Sequence, residues 1–126
     1  MAQEDFVTYE QADQLGDIGF DWECDYLYDE DKELIKYDCF QNFYDEQLYS
    51  NCIPAPTLAQ AQKWLREIKQ IYLFVTMENS YYYWYIGKEF QIGNSKSYEE
   101  ALSAGIDKAI EILNQYQDEI LSRNNS

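Results

Sequence analysis

Two helix-start signals, Thr57 with Gln60 and Ser97 with Glu100, bracket a run dense in tyrosine and β-branched residues. In each, a hydroxyl residue followed three positions later by Gln or Glu can form a reciprocal side-chain-to-backbone cap. Pro54 and Pro56 hold the chain extended before the first of them. Behind Thr57, the residues Leu58, Ala61, Trp64, Leu65, Ile68 and Ile71 recur at helical spacing. Gln62, Lys63, Arg66, Glu67, Lys69 and Gln70 fall mostly on the other side. That predicts one buried stripe and one wet, largely basic face. Behind Ser97, the residues Ala101, Leu102, Gly105, Ile106, Ala109, Ile110 and Leu113 predict a second stripe. Gly105 lowers helix propensity by about 1 kcal/mol relative to Ala, so close contact with the sheet is the expected compensation.

Between the helices, Tyr72 to Met77 and Tyr81 to Ile86 suit a pleated surface, and Asn79-Ser80 suits a tight turn. A hairpin follows. A third short strand is expected over Glu89 to Ile92, after a break at Gly87-Lys88, with Gly93-Asn94-Ser95 ending the sheet pattern. The unit at 54–121 is therefore helix, strand, strand, strand, helix, with Tyr116, Ile120 and Leu121 extending the last helix and residues 122–126 fraying.

The preceding segment is acidic. Residues 1–53 hold 15 acids against Lys32 and Lys36, whereas residues 54–126 hold nine acids and seven bases, so most of the net charge of −15 lies in the first half. Thr8 and Gln11 can cap a short helix carrying Ala12 and Leu15, ended by Gly16 or Gly19. Cys24 to Tyr28 and Glu33 to Tyr37 read as a second hairpin around Asp29-Glu30-Asp31. Asp38 to Asn51 reads as a loop with aromatic anchors or a short irregular helix. The fold class expected is α+β. It is expected as a single domain, an antiparallel sheet of hairpins packed against two main helices, with an acidic N-terminal helix and hairpin added.

Chemistry is constrained first by the absence of histidine, which removes Ser-His, Cys-His and His-ligated metal arrangements. Cys24, Cys39 and Cys52 are odd in number and have no CxxC spacing, so reduced, structural thiols are expected rather than a zinc site or disulfides. The glycines form no phosphate cradle, and the Asp29 to Glu33 run lacks the glycine turn and distal glutamate of an EF-hand loop. No catalytic residue, cofactor or metal is expected. The strongly negative chain would repel phosphate backbones, so direct nucleic-acid binding is not expected. No run is long and apolar enough to span a bilayer, and Met1 to Asp5 lack a secretory pattern; the expectation is a cytoplasmic setting without a membrane.

Thirteen tyrosines, three tryptophans and six phenylalanines exceed what a small core requires. Alternate residues of a strand face opposite sides, so one side of Tyr81, Tyr83, Trp84 and Tyr85 is a candidate surface for a protein partner or a homodimer. Asp21, Glu23, Asp25, Asp29, Glu30 and Asp31 are the candidate charges for a different role, an acidic mimic of nucleic acid that occupies the basic groove of a host defence or DNA-binding protein. A carboxylate-dependent hydrolase would instead need acids converging in a concave pocket.

The run Pro54-Ala55-Pro56-Thr57 leading into Ala59 to Glu67, together with Ser97-Tyr98-Glu99-Glu100-Ala101-Leu102, resembles a group of small proteins of Bacteroides and related gut bacteria. These have no assigned activity and are often carried on phages or mobile elements. The resemblance implies a bacterial or phage origin and supplies no catalytic residue, substrate or cofactor. The element order is also similar to that of double-stranded RNA-binding domains, although Tyr98-Glu99-Glu100 stands where a basic cluster would grip phosphate. The hairpin followed by Ser97 to Ala101 resembles the antitoxin fold of the HicB type, which implies neutralisation of a small toxin. The preferred reading is a non-enzymatic binding or accessory protein.

Overall fold

The computed structural model describes residues 5–36, 51–87 and 91–124. The expected loop or irregular helix between Asp38 and Asn51, and Cys39 within it, lies almost wholly outside them. The architecture is α+β, with three helices and two three-stranded antiparallel sheets among the described residues. Contacts gather the chain into two compact units, Met1–Gln60 and Ala61–Ser126.

In the first unit, Thr8 caps α1 (Tyr9–Asp17) as expected: its hydroxyl accepts from Gln11 N at 3.1 Å, and Gln11 Oε1 accepts from Thr8 N at 2.8 Å. Just past the Ile18 C-cap stands Gly19, whose φ of 101° is open to glycine at little cost. Phe20 N then donates to Leu15 O at 2.9 Å and Gly19 N to Gly16 O at 3.1 Å, a Schellman closure with Phe20 and Leu15 both buried. The remainder is the sheet β2-β1-β3, formed by β1 (Tyr26–Tyr28), β2 (Leu34–Lys36) and β3 (Ile53–Pro54). Leu27 is the partner of both Ile35 and Pro54. The proline is tolerated because β3 is an edge.

The first hairpin is shorter than its residue pattern suggested, starting at Tyr26 rather than Cys24 and resuming at Leu34 rather than Glu33. Lys32 N donates to Asp29 O, and Lys32 takes φ 65°, so Asp29 to Glu33 form the turn itself. The strand β3 was not expected, because two residues carry no periodic signal. The Tyr28 hydroxyl donates to Val7 O at 2.6 Å, satisfying a buried polar group inside a core of Phe6, Val7, Ala12, Leu15 and Tyr28.

The division between the units falls inside α2 (Leu58–Ile68). Its cap is the expected one, with Thr57 N donating to Gln60 Oε1 at 3.2 Å and Gln60 N to Thr57 Oγ1 at 3.1 Å. Leu58, Ala61, Trp64 and Leu65 are buried, but Ile68 is 54% exposed, contrary to its place in the apolar stripe. The chain folds back there: Lys69 N and Ile71 N both donate to Leu65 O, and Gln70 takes φ 58°. Burial therefore stops one turn early.

The second unit then builds the sheet β4-β5-β6 from β4 (Leu73–Glu78), β5 (Tyr81–Ile86) and β6 (Gln91–Ser95). Asn79 and Ser80 take φ 51° and 70°, which fits the two-residue turn that sets Glu78 opposite Tyr81. The strand β6 runs through Gly93-Asn94-Ser95 instead of ending before them, because pairing with β5 continues to Tyr82↔Ser95. Partnership along β5 outweighs the weak strand propensity of Gly and Asn. Helix α3 (Tyr98–Asn124) is capped by Ser97, whose hydroxyl accepts from Glu100 N at 3.1 Å. It continues to Asn124, into the segment expected to fray, without a Gly or Pro to interrupt it there; residues 125–126 of that segment lie outside the described residues. Ala101, Leu102, Gly105, Ile106, Ala109 and Ile110 are buried.

Candidate functional site

Strand alternation and the register of β4 with β5 sort the side chains of the second sheet into two sets. Leu73, Val75 and Met77 share a face with Tyr82, Trp84 and Ile86. That face takes α3: Gly105 lies against Leu73, and the ring of Tyr98 meets that of Tyr82 edge-on at 6.3 Å. Leu73 and Ile86 are accordingly buried.

The opposite face carries Phe74, Thr76 and Glu78 from β4 with Tyr81, Tyr83 and Tyr85 from β5. Tyr72 continues the row, since its carbonyl accepts from Gly87 N at 2.9 Å and extends the ladder by one pair. Phe74 and Tyr85 stack with centroids 5.1 Å apart and planes 13° from parallel. Phe74 is 48% exposed and Tyr81 46%. Tyr83 and Tyr85 are half-buried. The result is a row of π-faces and phenol hydroxyls beside one carboxylate, Glu78. Such a surface can bury large area, donate and accept hydrogen bonds, and accept cations on its rings.

Of the aromatic residues singled out in the sequence, Tyr81, Tyr83 and Tyr85 are brought together on this face. Trp84 is not among them, because its register partner Val75 belongs to the helix-covered side. Tyr72 and Phe74 were missed as members. The signal was present: a two-residue turn at Asn79-Ser80 pairs Glu78 with Tyr81, and counting back by twos reaches both.

The acidic candidates belong to the first unit. Asp21, Glu23 and Asp25 are exposed and alternate with half-buried Trp22 and Cys24, so they project from one side of an extended stretch. Gln60 Nε2 fixes that stretch by donating to Glu23 O at 3.1 Å. Glu30 and Asp31 are exposed at the hairpin tip, where Asn51 Nδ2 donates to the Glu30 carboxylate. Asp29 has an internal task instead, since its Oδ1 accepts from the backbone of Asp31 and of Glu33, each at 2.9 Å. The ammonium of Lys32 sits 5.1 Å from the centroid of the Tyr9 ring.

Neither described thiol is poised for nucleophilic work. Burial first, and then the Asp25 carboxylate, push the Cys24 thiol up to about 11, and its Sγ lies 3.6 Å from Trp22 O as a donor. Burial and then the carboxylates of Asp29 and Glu30 raise Cys52 as well. An activated thiol needs the opposite surroundings. Among the described residues, no group of three His, Cys, Asp or Glu side chains is placed to hold a metal ion. No helix among them is long and apolar enough to cross a membrane. No family model, curated protein or solved structure matches the chain.

Proposed function

We propose that this chain is a non-enzymatic binding or accessory protein of bacterial or phage origin, which works in the cytoplasm by holding a protein partner against the aromatic face of its second sheet. The observation that carries this is the half-exposed state of Phe74 and Tyr81 on a face turned away from α3. Contiguous exposed aromatic surface on a folded protein marks an interaction site more often than it serves solubility. Tyrosine suits that use because it loses little conformational freedom and keeps a hydroxyl for a partner. An antitoxin-like role is the case in which the partner is a small toxin.

A second reading rests on a separate observation. Asp21, Glu23, Asp25, Glu30 and Asp31 are all exposed in one unit, an arrangement that supports mimicry of nucleic acid toward a basic groove. The two readings differ in their response to salt. In affinity capture from a bacterial lysate, the first expects a partner that survives about 1 M salt, where the Debye length is near 3 Å, and that is lost with Phe74→Ser or Tyr81→Ser. The second expects a partner released by salt and lost with Glu23→Gln and Asp25→Asn. Turnover of a metabolite by the purified chain would overturn both.

A further inference from the structure

We infer that the free edge of β4 is a self-association site, at which β4 of a second copy of this chain pairs antiparallel about a twofold axis through Thr76. The inference goes beyond the proposed use of the aromatic face, since edge and face are different surfaces of the same strand.

The hydrogen-bond phase of β4 is fixed at both ends. Glu78 and Tyr81 flank a two-residue turn and so form a hydrogen-bonded pair, and Gly87 N donates to Tyr72 O at the other end. Tyr72, Phe74, Thr76 and Glu78 therefore direct their N–H and C=O groups toward β5. Leu73, Val75 and Met77 direct theirs outward, on the side that the order β4-β5-β6 leaves open. Gln62 Nε2 reaches the first of these and donates to Leu73 O at 2.8 Å. Among the described residues, no group meets the outward N–H and C=O of Val75 and Met77.

An open edge is ordinarily guarded by proline, lysine, an inward charge or a bulge. Leu73 to Met77 carry none of these, the one charge of β4 being Glu78 beside the turn, and Met77 is 63% exposed. The other edge, β6, is weakened as a template by Gly93 and Asn94. The Gln62 cap at Leu73 and the Asn79-Ser80 turn confine further pairing to the stretch between them, and the twofold register through Thr76 uses all that remains. Val75 and the second copy's Met77 exchange two hydrogen bonds, and the symmetric pair exchanges two more.

Cross-strand chemistry fits this choice. Thr76 faces its own copy, Val75 faces Met77, and Glu78 faces Phe74, so no like charges are opposed. A foreign strand offers no such built-in match. The interface is short, well below the roughly 1,200 Å² of stable complexes, so the dimer forms at high protein concentration. With each copy at −15, added salt strengthens it.

The test is sedimentation equilibrium of the full chain at low salt and at about 0.5 M, with amide exchange followed residue by residue. A reversible dimer that tightens with salt is expected, with exchange at Val75 and Met77 slowing as the dimer fills. Met77→Lys places a charge on the edge, and Met77→Pro removes only an outward donor. Each should weaken association about tenfold, the equivalent of one or two hydrogen bonds. Tyr81→Ser, on the aromatic face, should leave association unchanged and so separates this site from the proposed partner surface. A monomer up to about 1 mM, where binding free energy falls near 4 kcal/mol, overturns the inference. So does a dimer indifferent to both Met77 variants, or protection of Val75 and Met77 that appears only with a different protein.

Discussion

Leu73 of β4 packs directly against the backbone of α3 at Gly105. A β-carbon added to Gly105 would collide with the Leu73 δ1 methyl and stand 3.2 Å and 3.3 Å from its Cδ2 and Cγ. The whole leucine side chain would have to move, and it is buried. Gly105→Ala gains about 1 kcal/mol of helix propensity but overpacks the contact by about 1 to 3 kcal/mol. A net loss of about 1 kcal/mol is expected in urea unfolding. Combined with Leu73→Ala, which alone costs about 2 to 5 kcal/mol, the double variant should lose less than the sum, because the added methyl enters space the leucine vacates. Additive losses would contradict the contact.

Asp29 separates a structural carboxylate from the exposed ones around it. Its Oδ1 holds the amides of Asp31 and Glu33 in the first hairpin. Asp29→Ala should cost about 1 kcal/mol, as loss of a local side-chain-to-backbone acceptor does, whereas Asp29→Asn keeps an acceptor oxygen and most of the stability. Urea midpoints of the two variants give the comparison. Equal destabilisation by Ala and Asn would mean that charge, not the acceptor, holds the turn.

Cys24 gives the fold a signature at alkaline pH. Its folded pKa, about 11, stands above the ordinary 9.0, so the folded chain keeps a proton that the unfolded chain gives up. That contribution to stability is fully present below pH 9.0 and is lost as pH rises toward about 11. Wild type should therefore lose stability over this window more steeply than Cys24→Ala, a difference that isolates the thiol. Alkylation of Cys24, followed by peptide mass spectrometry, should reach half its limiting rate near pH 11. Rapid labelling at neutral pH would show the thiol to be less buried than described.

Local chemistry was the part of this molecule most open to reading from residues alone. Thr8 with Gln11, Thr57 with Gln60 and Ser97 before Glu100 all cap helices where their spacing said they would, because a cap is completed within four residues. The Asn79-Ser80 turn was legible for the same reason, and the contact of Gly105 with the sheet from the cost of a glycine inside a helical stripe. Features decided by distant partners were not. The two-residue strand β3 exists because β1 offers an edge, β6 passes through Gly93 because β5 continues beside it, and Ile68 is exposed because the chain reverses after it. The aromatic surface was half legible: Tyr81, Tyr83 and Tyr85 follow from alternation within one strand, but Tyr72 and Phe74 need the cross-strand register. Alternation separates Trp84 from the odd-numbered tyrosines, but which side α3 covers is decided by packing, so Trp84 stood among the candidates until the register was known.

The whole division of rings between interior and exterior depends on the length of one reversal. Asn79 and Ser80 act as a parity device: with two residues in the bend, odd-numbered tyrosines look outward and Trp84 looks toward the helix. A third residue there that slid β5 by one position against β4 would turn the odd-numbered tyrosines toward α3 and present an indole to the outside. Both positions also take positive φ, so the bend constrains its residue types as well as its count.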